Sequence, residues 1–414
     1  MARCRDSRHK SVGISAVDSC TVIMMKYRIC RVVCLHFFIL LLAGYGVSSC
    51  YAPLWAASKP EIADALVADT RASATRASVQ ELSIPENGAY TGAYVDFGEG
   101  EDDVTLEAIQ KFEKMVRKHQ AIIAFGNFWG EQQFSLKNVQ IVTLYGAIPY
   151  IFWSPWDKPY SEDSIPDRFN LYNILSGMWD TYIDKWAEDA RDFGKPLLVA
   201  WGLEMNGTGF PWSVYFYGGG QKDLTNKPSD YLGPKIFKQA YRYVVDRVRA
   251  RGAHNIQWVF HVNNYSYQSG DWNRFAIYYP GSDYVDWLGL SVYGKLDNSM
   301  DWGSFYDVCE LAYREICLVD PSKPLMIAEW GVGEYPAFGN KADWLRKAFE
   351  DYKERFPRIK AAVYWHERWQ NDDLSYSNLR VNSSPEALSA YREGVADMYW
   401  IGNPRFHTKR SGKP

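Results

Sequence analysis

The chain has 414 residues, of which 47% are hydrophobic, and a formal net charge of −3. That is ample apolar material for one α/β barrel of about 250 residues or more, and nothing in the charge balance supports a nucleic-acid partner, which would call for a basic face. Aromatic residues make up 16% of the chain, with 17 Trp and 29 Tyr, and flat apolar rings with a polar edge suit stacking on sugar faces as well as filling an interior.

Residues 1–57 read as a leader. Lys26, Arg28 and Arg31 precede an apolar run from Val32 to Gly44, too short to span a membrane as an ordinary helix but suited to a signal-peptide core. Starting at Met24 or Met25 would put those charges at the N-terminus, so residues 1–23 read as an over-extended start. The run ends in Val47-Ser48-Ser49-Cys50, which resembles a bacterial lipobox; free secretion after cleavage near Ala56-Ala57 is the alternative. The expectation is export, secreted or periplasmic, with membrane contact only through the leader or a lipid on Cys50.

Five of the 7 cysteines lie in or before this leader, leaving Cys309 and Cys317. These sit eight residues apart on one predicted helix, about 12 Å at a rise of ~1.5 Å per residue, which is too far for a disulfide. CxxC pairs and HExxH spacing are both missing from the sequence, so neither a metal nor a cofactor is expected.

Residues 58–87 are rich in Ala, Ser and Thr and read as a linker. After it, strand-like apolar runs alternate with amphipathic stretches. The strands fall at Gly88–Phe97, Ala121–Phe128, Gly146–Trp153, Pro196–Leu203, Asn255–Val262, Val285–Tyr293, Pro324–Ala328 and Ile359–Trp365. Helices are predicted at Val104–Lys118, where Leu106, Ile109, Phe112, Met115 and Val116 form one stripe, and at Lys235–Arg251, Met300–Cys317, Lys341–Phe356 and Pro385–Asp397. Eight strands in that alternation predict a single (β/α)8 barrel over residues 88–400, monomeric, with 401–414 a solvated tail.

Two of these strands share a plan. The fourth runs apolar into Glu204-Met205-Asn206-Gly207, and the seventh into Glu329-Trp330-Gly331. In a parallel barrel such exits converge on one rim, where barrel enzymes keep their catalytic groups, and two acids facing each other there suggest glycoside cleavage. Each Glu alone could equally be an ordinary strand-end acid paired with an Arg.

At these positions the chain resembles glycoside hydrolase family 26, within the clan A glycoside hydrolases. The acid/base motif Glu-Met-Asn-Gly followed by an aromatic cluster is matched by Glu204 to Gly207 and Phe210-Pro211-Trp212, and the nucleophile context Glu-aromatic-Gly by Glu329-Trp330-Gly331. The resemblance spans roughly Gly88 to Asp397. It implies a retaining endo-β-glycanase acting on a β-linked polysaccharide, with Glu204 as acid/base, Glu329 as nucleophile, Tyr293 touching that nucleophile and Trp365 flooring the −1 sugar. Further subsite candidates are Trp212, Asn206, His261, Asn263 and Trp330, with Trp153, Trp156 and Asn264 beside them.

One departure bears on the substrate. The family's mannanases usually place His directly before the acid/base, where it helps read the −1 sugar, and this chain has Leu203 there. β-1,4-Mannan is the first expectation and mixed-linkage β-1,3-1,4-glucan the second. An inactive glycan-binding barrel would share the aromatic content but has no need of both acids. An aldolase or isomerase barrel would want a Schiff-base Lys or a metal cluster at strand ends, and neither is found.

Overall fold

The computed structural model describes residues 79–157, 167–224, 230–371 and 373–408. The expected leader with Cys50, most of the expected linker and residues 409–414 lie outside them. In chain order the elements are β1 (Gln80–Leu82), β2 (Ala89–Val95), α1 (Leu106–Val116), β3 (Ile122–Phe128), α2 (Leu136–Tyr145), β4 (Ile148–Ser154), α3 (Leu171–Leu175), α4 (Asp180–Phe193), β5 (Leu197–Trp201), α5 (Leu232–Ala250) and β6 (Ile256–Asn263). They continue with α6 (Phe275–Tyr278), β7 (Trp287–Tyr293), α7 (Phe305–Val319), β8 (Leu325–Gly331), α8 (Lys341–Glu354), β9 (Ile359–His366), β10 (Arg368–Gln370), β11 (Tyr376–Asn378), α9 (Pro385–Ala396), β12 (Trp400–Ile401) and β13 (Phe406–Thr408).

Strands β2 to β9 pair in parallel in sequence order, and β2 closes on β9 with Tyr90 opposite Ala361 through Val95 opposite His366. The result is the expected closed eight-stranded barrel with helices between the strands. These strands are covered on the inside by one another and on the outside by helices, which is why their sequences run apolar on both faces instead of alternating. Helix boundaries are set by local chemistry. Thr105 caps α1 by accepting from the Ala108 N–H, and Ser304 and Asp307 form a reciprocal capping box at α7, each satisfying amide donors that the first turn leaves unpaired. Cys309 and Cys317 both lie on α7 and both are free thiols.

The two ends of the fold differ from the sequence reading. Gln80–Leu82, expected within a linker, pairs antiparallel with Phe406–Thr408, expected in a solvated tail, while Trp400-Ile401 adds in parallel to the start of β2. Leu82 is fully buried and its backbone N–H donates to Gln257 Oε1 at 2.6 Å. Gln257 lies near the start of β6, so this clasp closes the N-terminal end of the barrel. Strands of three residues leave a pattern too short to separate from loop by periodicity.

Candidate active site

The C-terminal ends of β5 to β9 bring the predicted acids together. Beyond β5 the chain coils sharply, with Gly202 at φ +61° and Glu204 itself at φ +52°. A left-handed conformation is unremarkable for Gly202 but costs energy for a glutamate, and such outliers gather where a side chain must be aimed. The turn is fixed by the Glu204 N–H donating to the His261 carbonyl at 2.8 Å and the Gly207 N–H to the Glu204 carbonyl at 3.0 Å.

Glu329 is presented differently, from within β8. The register against β7 jumps so that Leu290 faces Ile327 but Ser291 faces Glu329, and the register against β9 shifts over the same stretch. Ala328 is thus an extra residue relative to both neighbours, a bulge that re-aims the side chain after it. Tyr293 at the end of β7 donates its hydroxyl to Glu329 Oε2 at 2.7 Å, as the family resemblance implied.

Ser291 links the two acids. It faces Glu329 in the sheet and hydrogen-bonds the Glu204 carboxyl. Its Oγ lies 2.7 Å from His261 Nε2, and His261 Nδ1 lies 3.2 Å from the Tyr150 hydroxyl. Burial pushes the His261 pKa down to about 3, so the ring is neutral. One proton arrangement then satisfies every member: Tyr150 donates to Nδ1, Nε2–H donates to Ser291, and the serine donates to Glu204. His261 Nε2 stands 4.0 Å from Glu329 Oε1, so this neutral chain props both acids from below. Neither Tyr150 nor Ser291 was singled out from the sequence. The signal available was their strand alternation, since Ser291 and Tyr293 must face the same side.

Burial raises the pKa of both carboxyls, and for Glu329 the charge of Glu204 adds to it. Hydrogen bonds oppose this, from Ser291 and Asn263 on Glu204 and from Tyr293 on Glu329. Two close acids in a poorly hydrated site cannot both ionise cheaply, so near neutral pH the pair carries a proton and titrates as a unit. Glu329 is 7% exposed, whereas Glu204 keeps more of its surface open.

Trp365, at the end of β9, lies opposite Tyr94 in the register and stacks on it with ring centroids 4.0 Å apart. Asn263 faces the site through Glu204. The other candidates point elsewhere. Asn206 is fully buried, its Nδ2 donating to the Asn263 carbonyl and Ser266 Oγ and its Oδ1 accepting the Asn263 N–H. It is a node for two loops, and its full burial keeps it from a sugar hydroxyl. Trp153 stacks on Trp186 at 3.9 Å on the helix side of β4, and Trp330 packs outward against Phe349, Tyr352 and Tyr391. Trp212 is fully buried beneath Phe210, its Nε1–H on the Leu203 carbonyl, with Trp156 edge-on to both rings. Asn264 is tied to the Val308 carbonyl. Among the described residues no group of three or more His, Cys, Asp and Glu side chains could hold a metal ion.

With this geometry in place, comparison with known proteins decides the family. Residues 110–355 match glycosyl hydrolase family 26. The chain belongs to this family. It is 31% identical over 321 residues to endoglucanase H of Acetivibrio thermocellus, covering 76% of this chain and 31% of that protein. It is 26% identical over 234 residues to a mannan endo-1,4-beta-mannosidase of Bacillus subtilis, covering 55% of this chain and 56% of that one. The chain thus spans less than two thirds of the length of either relative. Among solved structures, a Bacillus subtilis mannanase superposes with a TM-score of 0.51 at 20% identity, covering 77% of this chain and 87% of that one, a likeness of fold. Its (β/α)8 barrel is the fold it shares with that mannanase structure.

Proposed function

We propose that this family 26 protein is a retaining, endo-acting β-glycanase in which Glu329 attacks the anomeric carbon and Glu204 first protonates the leaving oxygen and then activates water. The observation that carries the reading is the pair of strand-end carboxyls, Glu329 buried and Glu204 half-buried, joined through Ser291, with Glu329 hydrogen-bonded by Tyr293. A nucleophile must be ionised, and the Tyr293 phenol stabilises that form of Glu329; an acid must hold its proton near neutral pH, and desolvation favours the protonated form of Glu204. The two shifts alone leave the proton on the pair, Glu329 being raised the more strongly, and the reaction requires it on Glu204 once sugar occupies the site. The Trp365 indole, backed by Tyr94, supplies the apolar floor for the −1 ring.

β-1,4-Mannan is the first substrate, on the strength of the mannanases among the relatives and the family resemblance. A second reading, mixed-linkage β-1,3-1,4-glucan, is favoured by what surrounds C2 of the −1 sugar. Mannose and glucose differ there, and discrimination needs a polar group free to pair with the 2-hydroxyl. Leu203 stands where mannanases carry His, Asn206 is spent on the backbone, and His261 is engaged on both nitrogens. The relative named endoglucanase H points the same way. A panel of β-mannan, galactomannan, barley-type β-glucan, xylan and carboxymethyl cellulose, scored by reducing ends and product size, separates the readings. Depolymerisation of β-glucan with mannans untouched replaces the mannan reading, and glycan retention without new reducing ends would make this a binding barrel.

Export belongs to the proposal as well, with a lipid on Cys50, supported by the basic and apolar leader ahead of that cysteine. A Cys50→Ser protein that still fractionates with membranes would refute the anchor.

A further inference from the structure

Trp365 is held by more than its stack. Its Nε1–H donates to Glu367 Oε2 at 2.7 Å, two residues further along the chain as β9 leaves the barrel. Tyr94 covers one face of the indole and Phe152 lies 5.9 Å from it, so stacking fixes the tilt of the ring but leaves it free to slide and turn in its own plane. The hydrogen bond adds a directional restraint on that in-plane position. Glu367 is an unusual partner for the task. It is partly exposed and stands among acids, with Glu101 and Asp96 around it, and the Arg380 guanidinium that acts on it is already bound to Asp96. Burial and the neighbouring charge of Glu101 push its pKa up to about 8. Its field also reaches Glu329 and the Tyr94 phenol, raising both. A carboxyl kept in such surroundings is expensive for a purely structural peg, which an amide or a serine could serve without electrostatic cost.

We propose that Glu367 is a positioning residue for the reaction: through the Nε1–H of Trp365 it sets where the indole floor lies relative to the Glu204–Glu329 pair. This rests on the reading of Trp365 as the −1 platform. A platform displaced by a fraction of an ångström still binds sugar but presents the anomeric carbon badly to Glu329, so the loss falls on kcat more than on KM.

The test is a double-mutant cycle on the full chain, read as kcat and KM on whichever panel polysaccharide the wild type cleaves. Glu367→Ala should lose about tenfold in kcat, while Glu367→Gln, whose amide oxygen can still accept the indole N–H, should lose less than about threefold. Trp365→Phe has no N–H to hold, so adding Glu367→Ala to it should cost nothing further; a structural acid would give multiplying losses instead. A pH profile supplies the second readout. The groups facing Glu367 are Asp96, Glu101, Arg380, Tyr94, Trp365 and Glu329. Glu367 becomes charged only as pH passes about 8, and its charge then makes it harder for the catalytic pair to give up its proton, so Glu367→Gln should move an alkaline limb of kcat/KM that lies above that pH to lower pH. Wild-type kcat in Glu367→Ala, or multiplying losses in the cycle, would each overturn the proposal while leaving the glycanase reading intact. A wild type inactive on every glycan would overturn both.

Discussion

The two ends of the barrel use the same materials to opposite effect. At the C-terminal rim, buried carboxyls are pushed above their ordinary range, a glutamate sits at positive φ, and a bulge interrupts β8. At the N-terminal end, Leu82 and Gln257 meet through the amide and carbonyl of one backbone unit, and two three-residue strands lie across the opening. The rim holds groups that would be more stable in water, while the closed end holds groups already satisfied. Strain and desolvation therefore mark where chemistry is done, and satisfied burial marks where stability is made. Substitutions at the rim should cost turnover with little change in unfolding, and substitutions at the closed end should do the reverse.

The largest effect on turnover is expected from Glu329→Ala, which removes the proposed nucleophile and should lower kcat by roughly 10⁴-fold or more. Azide should partly restore activity by attacking from the vacated side, giving a glycosyl azide of inverted, α configuration. A product of β configuration alone would show that Glu329 does not form the covalent intermediate.

Next comes Glu204→Gln, with an expected loss of about 10² to 10⁴ on polysaccharide. Activated aryl glycosides, whose leaving groups need no proton, should be largely spared in the glycosylation step. Equal losses on both kinds of substrate would take the acid role away from Glu204. Thermal unfolding of both variants should stay close to the wild type or rise, because each replaces a carboxyl that burial disfavours.

A smaller effect is expected at Tyr293. Its phenol donates to Glu329 and lowers that group's pKa against the pull of burial. Tyr293→Phe removes the donor, so the Glu329 pKa rises further and the ionised nucleophile appears only at higher pH. The acid limb of kcat/KM should move up by about one to two units, the equivalent of a hydrogen bond to a charged group worth roughly 1.5–3 kcal/mol. A limb that stays in place would mean that the phenol orients Glu329 without setting its charge.

How much of this was legible in the sequence divides along physical lines. The eight barrel strands could be read because strands buried on both faces are continuous apolar runs, and the two glutamates because each ends such a run. The same double burial hid which aromatic faces which way. Trp330 follows Glu329 directly, and neighbours on a strand point to opposite sides, so an inward Glu329 already required an outward Trp330. Likewise Tyr150 and Phe152 turn inward toward His261, which sends Trp153 out against Trp186. Asn206 could not be placed this way, because it lies in a turn and its partners come from the Asn263–Ser266 segment far along the chain. Ser291 left only its alternation with Tyr293 as a signal, and Glu367 left none. Their roles depend on groups that only the closed barrel brings together.

The smallest effect on turnover, and the sharpest test of the contrast between the two ends, is expected at Leu82. Its side chain is fully buried against the bottom of the barrel, while its amide and carbonyl are both taken by Gln257, at 2.6 and 3.4 Å. Leu82→Ala leaves those backbone bonds in place and opens a cavity, which costs about 2 to 5 kcal/mol for a buried leucine depending on how far the neighbours collapse. The Tm should therefore fall clearly, measured by thermal unfolding, while kcat and KM at a temperature well below the transition stay within about twofold of the wild type. A direct path from Leu82 to the catalytic pair runs along β6, which carries Gln257 near its start and His261 and Asn263 at its end. A large fall in kcat with the Tm unchanged would mean that the closed end tunes the rim through that strand, and the division between a stabilising end and a working end would fail.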